Sequence, residues 1–306
     1  MRLYPYLISL LNNHSKIRCA VACAEDEAVL SSVIQAYTLG LIKPVLFGNK
    51  EEILNILCLL DCHDSFEIIH SSTKEEACVL AVQSISNNAN RLLMKGMVDT
   101  SVFLKAVLNK EWGIKDKSVL SHVCVATLPD HDKLYFISDS AMNILPDLMT
   151  KKAIIENAVS VAHACGVKLP KVAVLSAIEK VNDKMPSSMD AHALSQMAKR
   201  GEIHNCTVDG PFAFDNAINV NAAHHKGVTH PNAGECEVLI VPNIESGNIL
   251  TKSITYFSKG DVAGIVVGAK IPIIVTSRAD SDADKLNSIV CAILNLGEKY
   301  GSNTHT

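Results

Sequence analysis

The stretch Ile271-Pro-Ile-Ile-Val-Thr-Ser277-Arg278-Ala-Asp-Ser-Asp-Ala-Asp284 runs a short, mostly apolar, β-favouring segment directly into a serine, an arginine and a set of carboxylates. Helical periodicity follows over residues 285–296, so the segment reads as strand, polar turn, helix. In an open α/β sheet, ligands bind at the carboxyl ends of strands, because the helices that follow present unpaired N–H groups and positive dipole ends there. A cation, a hydroxyl and several carboxylates in such a turn point to chemistry on an anionic substrate. Arg278 can hold a phosphate or polarise a carbonyl through its planar fork, and it stays charged at any working pH. Ser277 can donate to developing negative charge, and Asp284 can accept a proton. The same residues admit a structural reading, with Arg278 paired to Asp280 or Asp282 and Asp284 complementing the helix dipole.

Outward from this segment the pattern repeats. Strands are expected at 17–24, 44–47, 66–69 and 91–94, separated by helices at 27–39, from about 50, at 74–88 and at 101–110. Two strands at 122–128 and 134–138 are joined by Pro129-Asp130-His131-Asp132, a hairpin-like link that makes the sheet mixed. Alternation then resumes: a helix at 151–165, a strand at 171–176, a helix at 191–200, a strand at 207–209 and a helix at 215–224. A strand at 237–241, a helix at 248–257 and strands at 262–267 and 271–275 complete it. This is the signature of mainly parallel or mixed sheets covered by helices. A chain of 306 residues exceeds what one core usually organises, so two α/β domains are expected.

Composition excludes several classes. With 48% hydrophobic and 20% charged residues the chain reads as an ordinary soluble protein, and a net charge of -4 without a Lys/Arg run argues against nucleic acid. The opening MRLYPYLISLLNNHSK has no small-residue cleavage site and no apolar segment reaches spanning length, which predicts a cytoplasmic protein with no membrane partner. Most of the 10 cysteines fall in apolar patterns and read as small hydrophobes. Cys58, Cys62 and His63 come nearest to a metal cluster but lack a second pair at ligand spacing, so they are assigned to a buried helix face. His224, His225 and His230 are read as surface residues. No metal site is assigned.

Three further polar turns follow strands and would gather with the first on one sheet edge. In Lys95-Gly96-Met-Val-Asp99-Thr100, Gly96 permits a tight turn, Thr100 can cap the next helix and Lys95 can offer its charge to a phosphate. In Asp209-Gly210-Pro211-Phe-Ala-Phe-Asp215-Asn216, Gly210-Pro211 fixes the turn and Asp215 or Asn216 can cap. In Pro242-Asn243-Ile-Glu-Ser246-Gly247-Asn248, the last three residues form a compact helix start whose N–H groups can cradle an oxyanion, with Lys252 one turn on. No G-x-G-x-x-G follows a strand, and no G-x-x-x-x-G-K-[ST], G-x-S-x-G or H-E-x-x-H is present, so dinucleotide, nucleoside-triphosphatase, α/β-hydrolase and zinc-protease readings lose their support.

Together and in this order, the turns resemble those of the phosphate acyltransferases, most closely the phosphate butyryltransferase branch. The likeness is carried by Val21-Ala-Cys-Ala-Glu25-Asp26, Leu93-Met-Lys-Gly-Met-Val-Asp-Thr100, Asp209-Gly-Pro-Phe-Ala-Phe-Asp-Asn-Ala217, Val241-Pro-Asn-Ile-Glu-Ser-Gly-Asn248, Gly264-Ile-Val-Val-Gly-Ala-Lys270 and Thr276-Ser-Arg-Ala-Asp-Ser281. The resemblance implies a two-domain, isocitrate-dehydrogenase-like α/β fold with the active site in the interdomain cleft, and a homodimer. Residues 1–125 with 270–306 would build one domain and 126–269 the other. The reaction it implies is butyryl-CoA plus phosphate giving butyryl phosphate plus CoA, run in the other direction by direct attack of the CoA thiolate on the acyl phosphate in a ternary complex. It needs no bound cofactor. By the same resemblance Asp284 deprotonates CoA, Arg278 steadies the acyl phosphate and the oxyanion, and Ser277 hydrogen-bonds the same centre; Lys95, Gly96, Thr100, Gly210, Pro211, Asp215, Asn216, Ser246, Gly247, Asn248 and Lys252 bind substrate. Acetyl-specific relatives often carry an arginine in the helix that here reads Lys252-Ser-Ile-Thr-Tyr256-Phe257, which leaves the anchoring of the CoA phosphates open; the helix resembles that of the butyryl branch, so a medium-length acyl group is favoured over acetyl.

Three alternatives stand beside this reading. A phosphate acetyltransferase would use the same mechanism on a smaller group. A metal- and nicotinamide-dependent decarboxylating dehydrogenase would need Asp280, Asp282 and Asp284 as a cation site. A catalytically silent acyl-CoA-binding relative would have no use for a base beside the thiol.

Overall fold

The computed structural model describes residues 1–11, 15–117, 119–277 and 280–301, with the backbone alone for 299–301. In chain order the first segment carries α1 (Leu3–Leu10), β1 (Ile17–Ala22), α2 (Glu27–Thr38), β2 (Ile42–Gly48), α3 (Lys50–Leu59), β3 (Glu67–His70), α4 (Lys74–Ser86), β4 (Leu92–Lys95) and α5 (Thr100–Val107). The middle carries β5 (Ser121–Ala126), β6 (Tyr135–Ser138), α6 (Leu148–Ala164), β7 (Lys171–Leu175), α7 (Pro186–Lys199), β8 (Thr207–Phe212), α8 (Phe214–Ile218), α9 (Val220–His225), β9 (Val238–Ile240) and α10 (Ile244–Tyr256). The chain closes with β10 (Val262–Val267), β11 (Ile273–Val275) and α11 (Asp282–Gly301). By internal contacts it divides into two units, one of Tyr4–Ser118 with Ala263–Thr306 and one of Met1–Leu3 with Val119–Val262.

In the unit of Tyr4–Ser118 and Ala263–Thr306, the strands lie in the order β3-β2-β1-β4-β11-β10, parallel except for the antiparallel pair β10 and β11. Cys19 to Ala22 of β1 and Leu92 to Met94 of β4 are fully buried, as expected of central parallel strands covered on both faces. The helices begin where short polar side chains satisfy their first N–H groups. Asp26 accepts from the Val29 N–H at 2.9 Å, and Thr73 accepts from the Glu76 N–H at 3.1 Å while Glu76 reaches back to the Ser72 N–H at 2.8 Å. Leu30, Ile42, Leu46 and Ile53 are fully buried, each contributing about 1.5–3 kcal/mol.

In the other unit the order is β5-β6-β9-β7-β8, with only β5 and β6 antiparallel, so the hairpin expected near residue 130 forms. Tyr135, Ile137, Ala173, Phe212 and Leu239 make its core. Sequence punctuation misleads here at two places. Gly210-Pro211, expected to end the strand at 209, lies inside β8, and Pro211 is tolerated because β8 is the last strand of its order and needs no outer ladder bond. The helix expected at 215–224 is two short helices, because Asn219 is extended (φ -132, ψ 115) and caps the second by accepting the Ala222 N–H at 2.9 Å.

Other boundaries move for local reasons. Helix α1 fills the N-terminal apolar run, α7 begins at Pro186, which is suited to a first helical turn, and β11 begins only after Pro272. Cys58 is exposed and Cys62 half-buried, so the buried helix face expected for them is not found; His63 lies 3.3 Å from Asp61. Among the described residues no group of three or more His, Cys, Asp or Glu could hold a metal ion, and no helix is long and apolar enough to cross a membrane.

Candidate active site

Strands β1, β4 and β11 are parallel neighbours, with Lys95 in register between Ala22 and Val275. The turns that leave β4 and β11 therefore share one sheet edge, and the sequence-predicted Lys95, Gly96 and Ser277 come together there. Lys95 is neither solvated nor extended: it is buried, and its ammonium donates to the Gly96 carbonyl at 3.1 Å and the Val98 carbonyl at 3.0 Å. The turn is stitched to the end of β1 by the Gly96 N–H to the Ala22 carbonyl (2.8 Å) and the Met97 N–H to the Cys23 carbonyl (2.9 Å). A Cβ at Gly96 would sit 2.1 Å from the Cys23 carbonyl oxygen, so only glycine fits. Thr100 is not the cap of α5; Asp99 takes that position and Thr100 is the first helical residue.

Beyond β11, Ser277 is exposed and its N–H donates to the Asp280 carboxylate at 2.7 Å. Arg278, the expected oxyanion partner, lies outside the described residues. Asp284 is buried in the first turn of α11, where its carboxylate accepts from the Ser281 hydroxyl at 2.7 Å and the Ser281 N–H at 3.3 Å while its own N–H donates back to Ser281 at 3.1 Å. This reciprocal Ser-x-x-Asp arrangement is a capping box with aspartate in the glutamate position. Asp282 takes the Ser31 hydroxyl at 3.2 Å, and the buried Lys285 ammonium donates to the Asp280 carbonyl. The three aspartates of the dehydrogenase alternative thus turn to separate partners.

Glu25 is a further residue of this edge. It lies just past β1, its Oε2 is buried without a hydrogen-bond partner among the described residues, and the side chain occupies the space over Gly48, where a Cβ would lie 1.9 Å from that oxygen. Burial raises its pKa. It lies inside one of the quoted resemblance segments, but a glutamate just past a strand carries no local signal of burial.

In the second unit, the carboxyl ends of β6, β9, β7 and β8 meet the starts of α6, α7 and α10. Helix α10 begins at Ile244, four residues before its expected start, because Asn243 caps it by accepting the Ser246 N–H at 3.0 Å and the Ser246 hydroxyl at 2.7 Å. The Gly247 N–H is bonded to the Asn243 carbonyl at 3.2 Å. Ser246, Gly247 and Asn248 are therefore helical, and the first two do not offer the open N–H cradle expected of them. Gly247 matters for its missing Cβ, which would lie 2.6 Å from the Asp139 carbonyl oxygen. Asn248 is exposed and Lys252 half-buried on the same helix.

Gly210 lies against β7, with a would-be Cβ 2.9 Å from the Val174 carbonyl oxygen, and the peptide to Pro211 is cis. Neither Asp215 nor Asn216 caps α8, which begins after Ala213. Asp215 forms an ion pair with Lys226 at 2.9 Å, and the hydrogen bond from that lysine holds its pKa below the ordinary value. Asn216 is fully buried, with its amide nitrogen 3.3 Å from Glu179 and its Oδ1 unpartnered among the described residues. Asp209, not assigned from sequence, is buried and accepts the Asn232 N–H at 3.1 Å beside His230 at 3.7 Å.

Residues 63–293 match the family described as phosphate acetyl/butaryl transferase. The chain belongs to that family. It is 47% identical over 294 residues to a probable phosphate butyryltransferase of Bacillus subtilis (strain 168), covering 96% of this chain and 98% of the relative. To the phosphate butyryltransferase of Clostridium beijerinckii it is 44% identical over 293 residues, covering 95% and 97%. Among solved structures, that of a branched-chain phosphotransacylase from Enterococcus faecalis V583 matches with a TM-score of 0.81 at 33% identity, covering 92% of this chain and 99% of that one. The matched residues 63–293 include the segments that follow β4, β9 and β11.

Proposed function

We propose that this transferase moves a short acyl group between CoA and inorganic phosphate, with butyryl-CoA plus phosphate giving butyryl phosphate plus CoA. The observation that carries the reading is the likeness to phosphate butyryltransferases along nearly the entire chain. The family description also spans acetyl transfer, so acetyl-CoA is the second reading of the acyl group.

In the direction of CoA acylation, the thiol sulfur attacks the acyl carbon of the acyl phosphate. The thiol proton passes to Asp284, a tetrahedral oxyanion forms, and its collapse breaks the bond to the phosphate oxygen and releases phosphate. A thiol with an ordinary pKa of about 8.5 needs that help near neutral pH. Arg278 steadies the phosphate and the oxyanion, and Ser277 donates to the same centre. The buried Lys95 ammonium adds positive charge at the shared edge of β4 and β11. We infer further that Lys95, Gly96, Thr100, Gly210, Pro211, Asp215, Asn216, Ser246, Gly247, Asn248 and Lys252 bind substrate, that no resident metal or redox cofactor takes part, and that the protein is a cytoplasmic homodimer.

Phosphate-dependent release of free CoA from acetyl-, propionyl-, butyryl- and isobutyryl-CoA tests the proposal. Wild type is expected to prefer four-carbon esters, and Arg278→Ala to lose on the order of 100- to 1000-fold in rate. Undiminished turnover in Arg278→Ala would remove the assigned role.

A further inference from the structure

Within the Val119–Val262 unit a cavity of about 840 Å³ opens between the first turns of α6, α7 and α10 and the ends of β7 and β9. That is within the range of roughly 300–1,000 Å³ typical of small-molecule sites. Leu145, Leu175, Met185, Phe214, Val241 and Leu250 give it apolar walls. Leu145 and Phe214 remain 78% and 44% exposed, so large apolar side chains stand in water at its rim.

The polar groups describe the occupant. The Ser176 and Ser187 hydroxyls lie 2.9 Å apart on the cavity wall, and Asn243 and Ser246 line another side. Lys151 is buried but already paired with Asp190 at 2.6 Å, which cancels its charge. Asp147 adds a carboxylate, and the helix starts are largely satisfied: Asp147 accepts the Thr150 N–H at 2.7 Å, Asn243 accepts the Ser246 N–H at 3.0 Å, and Pro186 has no N–H to offer. An anion here would meet an unpaid carboxylate and a lysine whose charge is spent. An uncharged chain bearing amides and an alkyl end would meet hydroxyls and apolar walls.

We propose that this cavity receives the acyl-pantetheine arm of acyl-CoA, with the alkyl chain against Leu175, Phe214 and Leu250, and that chain length is read there. The proposal rests on the acyl-CoA reading of the reaction and deepens it. Lys151, Ser176, Ser187 and Asp190 become wall residues of the site, and Phe214 and Leu250 set specificity.

The test is the kcat/KM ratio of butyryl-CoA to acetyl-CoA, with phosphate, in wild type, Ala177→Phe and Phe214→Ala. Ala177 is an exposed lining residue, so a ring there fills the cavity without entering the core. Ala177→Phe is expected to lower the ratio by about 10-fold or more while acetyl-CoA is still turned over, since one methylene in an apolar pocket is worth about 10- to 200-fold. Phe214→Ala is expected to move the optimum toward hexanoyl-CoA. An unchanged ratio in both variants, whether or not the overall rate falls, overturns the cavity assignment and leaves the reaction standing. No phosphate-dependent release from any ester by wild type overturns the reaction itself and the cavity's role with it.

Discussion

Asp284 holds two assignments at once. Its carboxylate is one half of a capping box with Ser281 at 2.7 Å, and it is also the proposed base. The two separate by substitution. Ser281→Ala removes the capping hydroxyl, so stability should fall by about 0.5–2 kcal/mol while kcat is largely kept. Asp284→Asn should lower kcat by roughly 100- to 10,000-fold. If both variants lose stability alike and both keep kcat, Asp284 serves the helix alone. The place of Asp284 in the first helical turn was legible in the sequence, whereas the buried Oε2 of Glu25 and the burial of Asp209 were not, because each depends on partners distant along the chain.

Asp209 gives a second prediction at this scale. Burial pushes its pKa up, but the neighbouring His230 at 3.7 Å and the hydrogen bond from the Asn232 N–H hold it below the ordinary value. A carboxyl depressed in the folded state adds stability above its unfolded pKa of about 3.9 and loses it as pH falls through the folded value. Thermal melts of wild type and Asp209→Asn should therefore differ near neutral pH and converge below about pH 4. A difference that persists at lower pH would show that packing, not ionisation, is what Asp209 contributes.

At the scale of elements, α10 is the informative case. Ser246-Gly247-Asn248 has the composition of a helix start, yet the extended Asn243 reaches Ser246 first and the helix begins earlier. Gly247 then lies in the first turn, where its lack of a Cβ lets the helix approach the end of β6. Gly247→Ala would place a carbon 2.6 Å from the Asp139 carbonyl oxygen and 2.9 Å from the Ser140 Cα, backbone atoms that cannot rotate away. It should lose about 1–3 kcal/mol, read as a lower urea midpoint at unchanged slope. A midpoint equal to wild type would contradict the close approach. Gly210-Pro211 teaches the same lesson in a strand: two residues that usually break structure are absorbed by the strand that ends the sheet order among the described residues. Local composition located these segments, and tertiary partners decided which residue ended each.

For the whole molecule, the alternation of apolar runs and helical periods made the α/β class legible, and the polar turns after strands marked the sheet edges. The pairing that sets β11 beside β4, and so Ser277 beside the Lys95 turn, depends on strands about 180 residues apart and has no local signature. Catalytic meaning came from the whole set of turns in order, since each alone admitted a capping or surface role. If the acyl group passes to phosphate itself, the product carries it. Wild type given butyryl-CoA and inorganic phosphate should form butyryl phosphate, trapped by hydroxylamine as the hydroxamate, in equal amount to the CoA released and only when phosphate is present. CoA release without phosphate, or without the trapped acyl phosphate, would contradict the account.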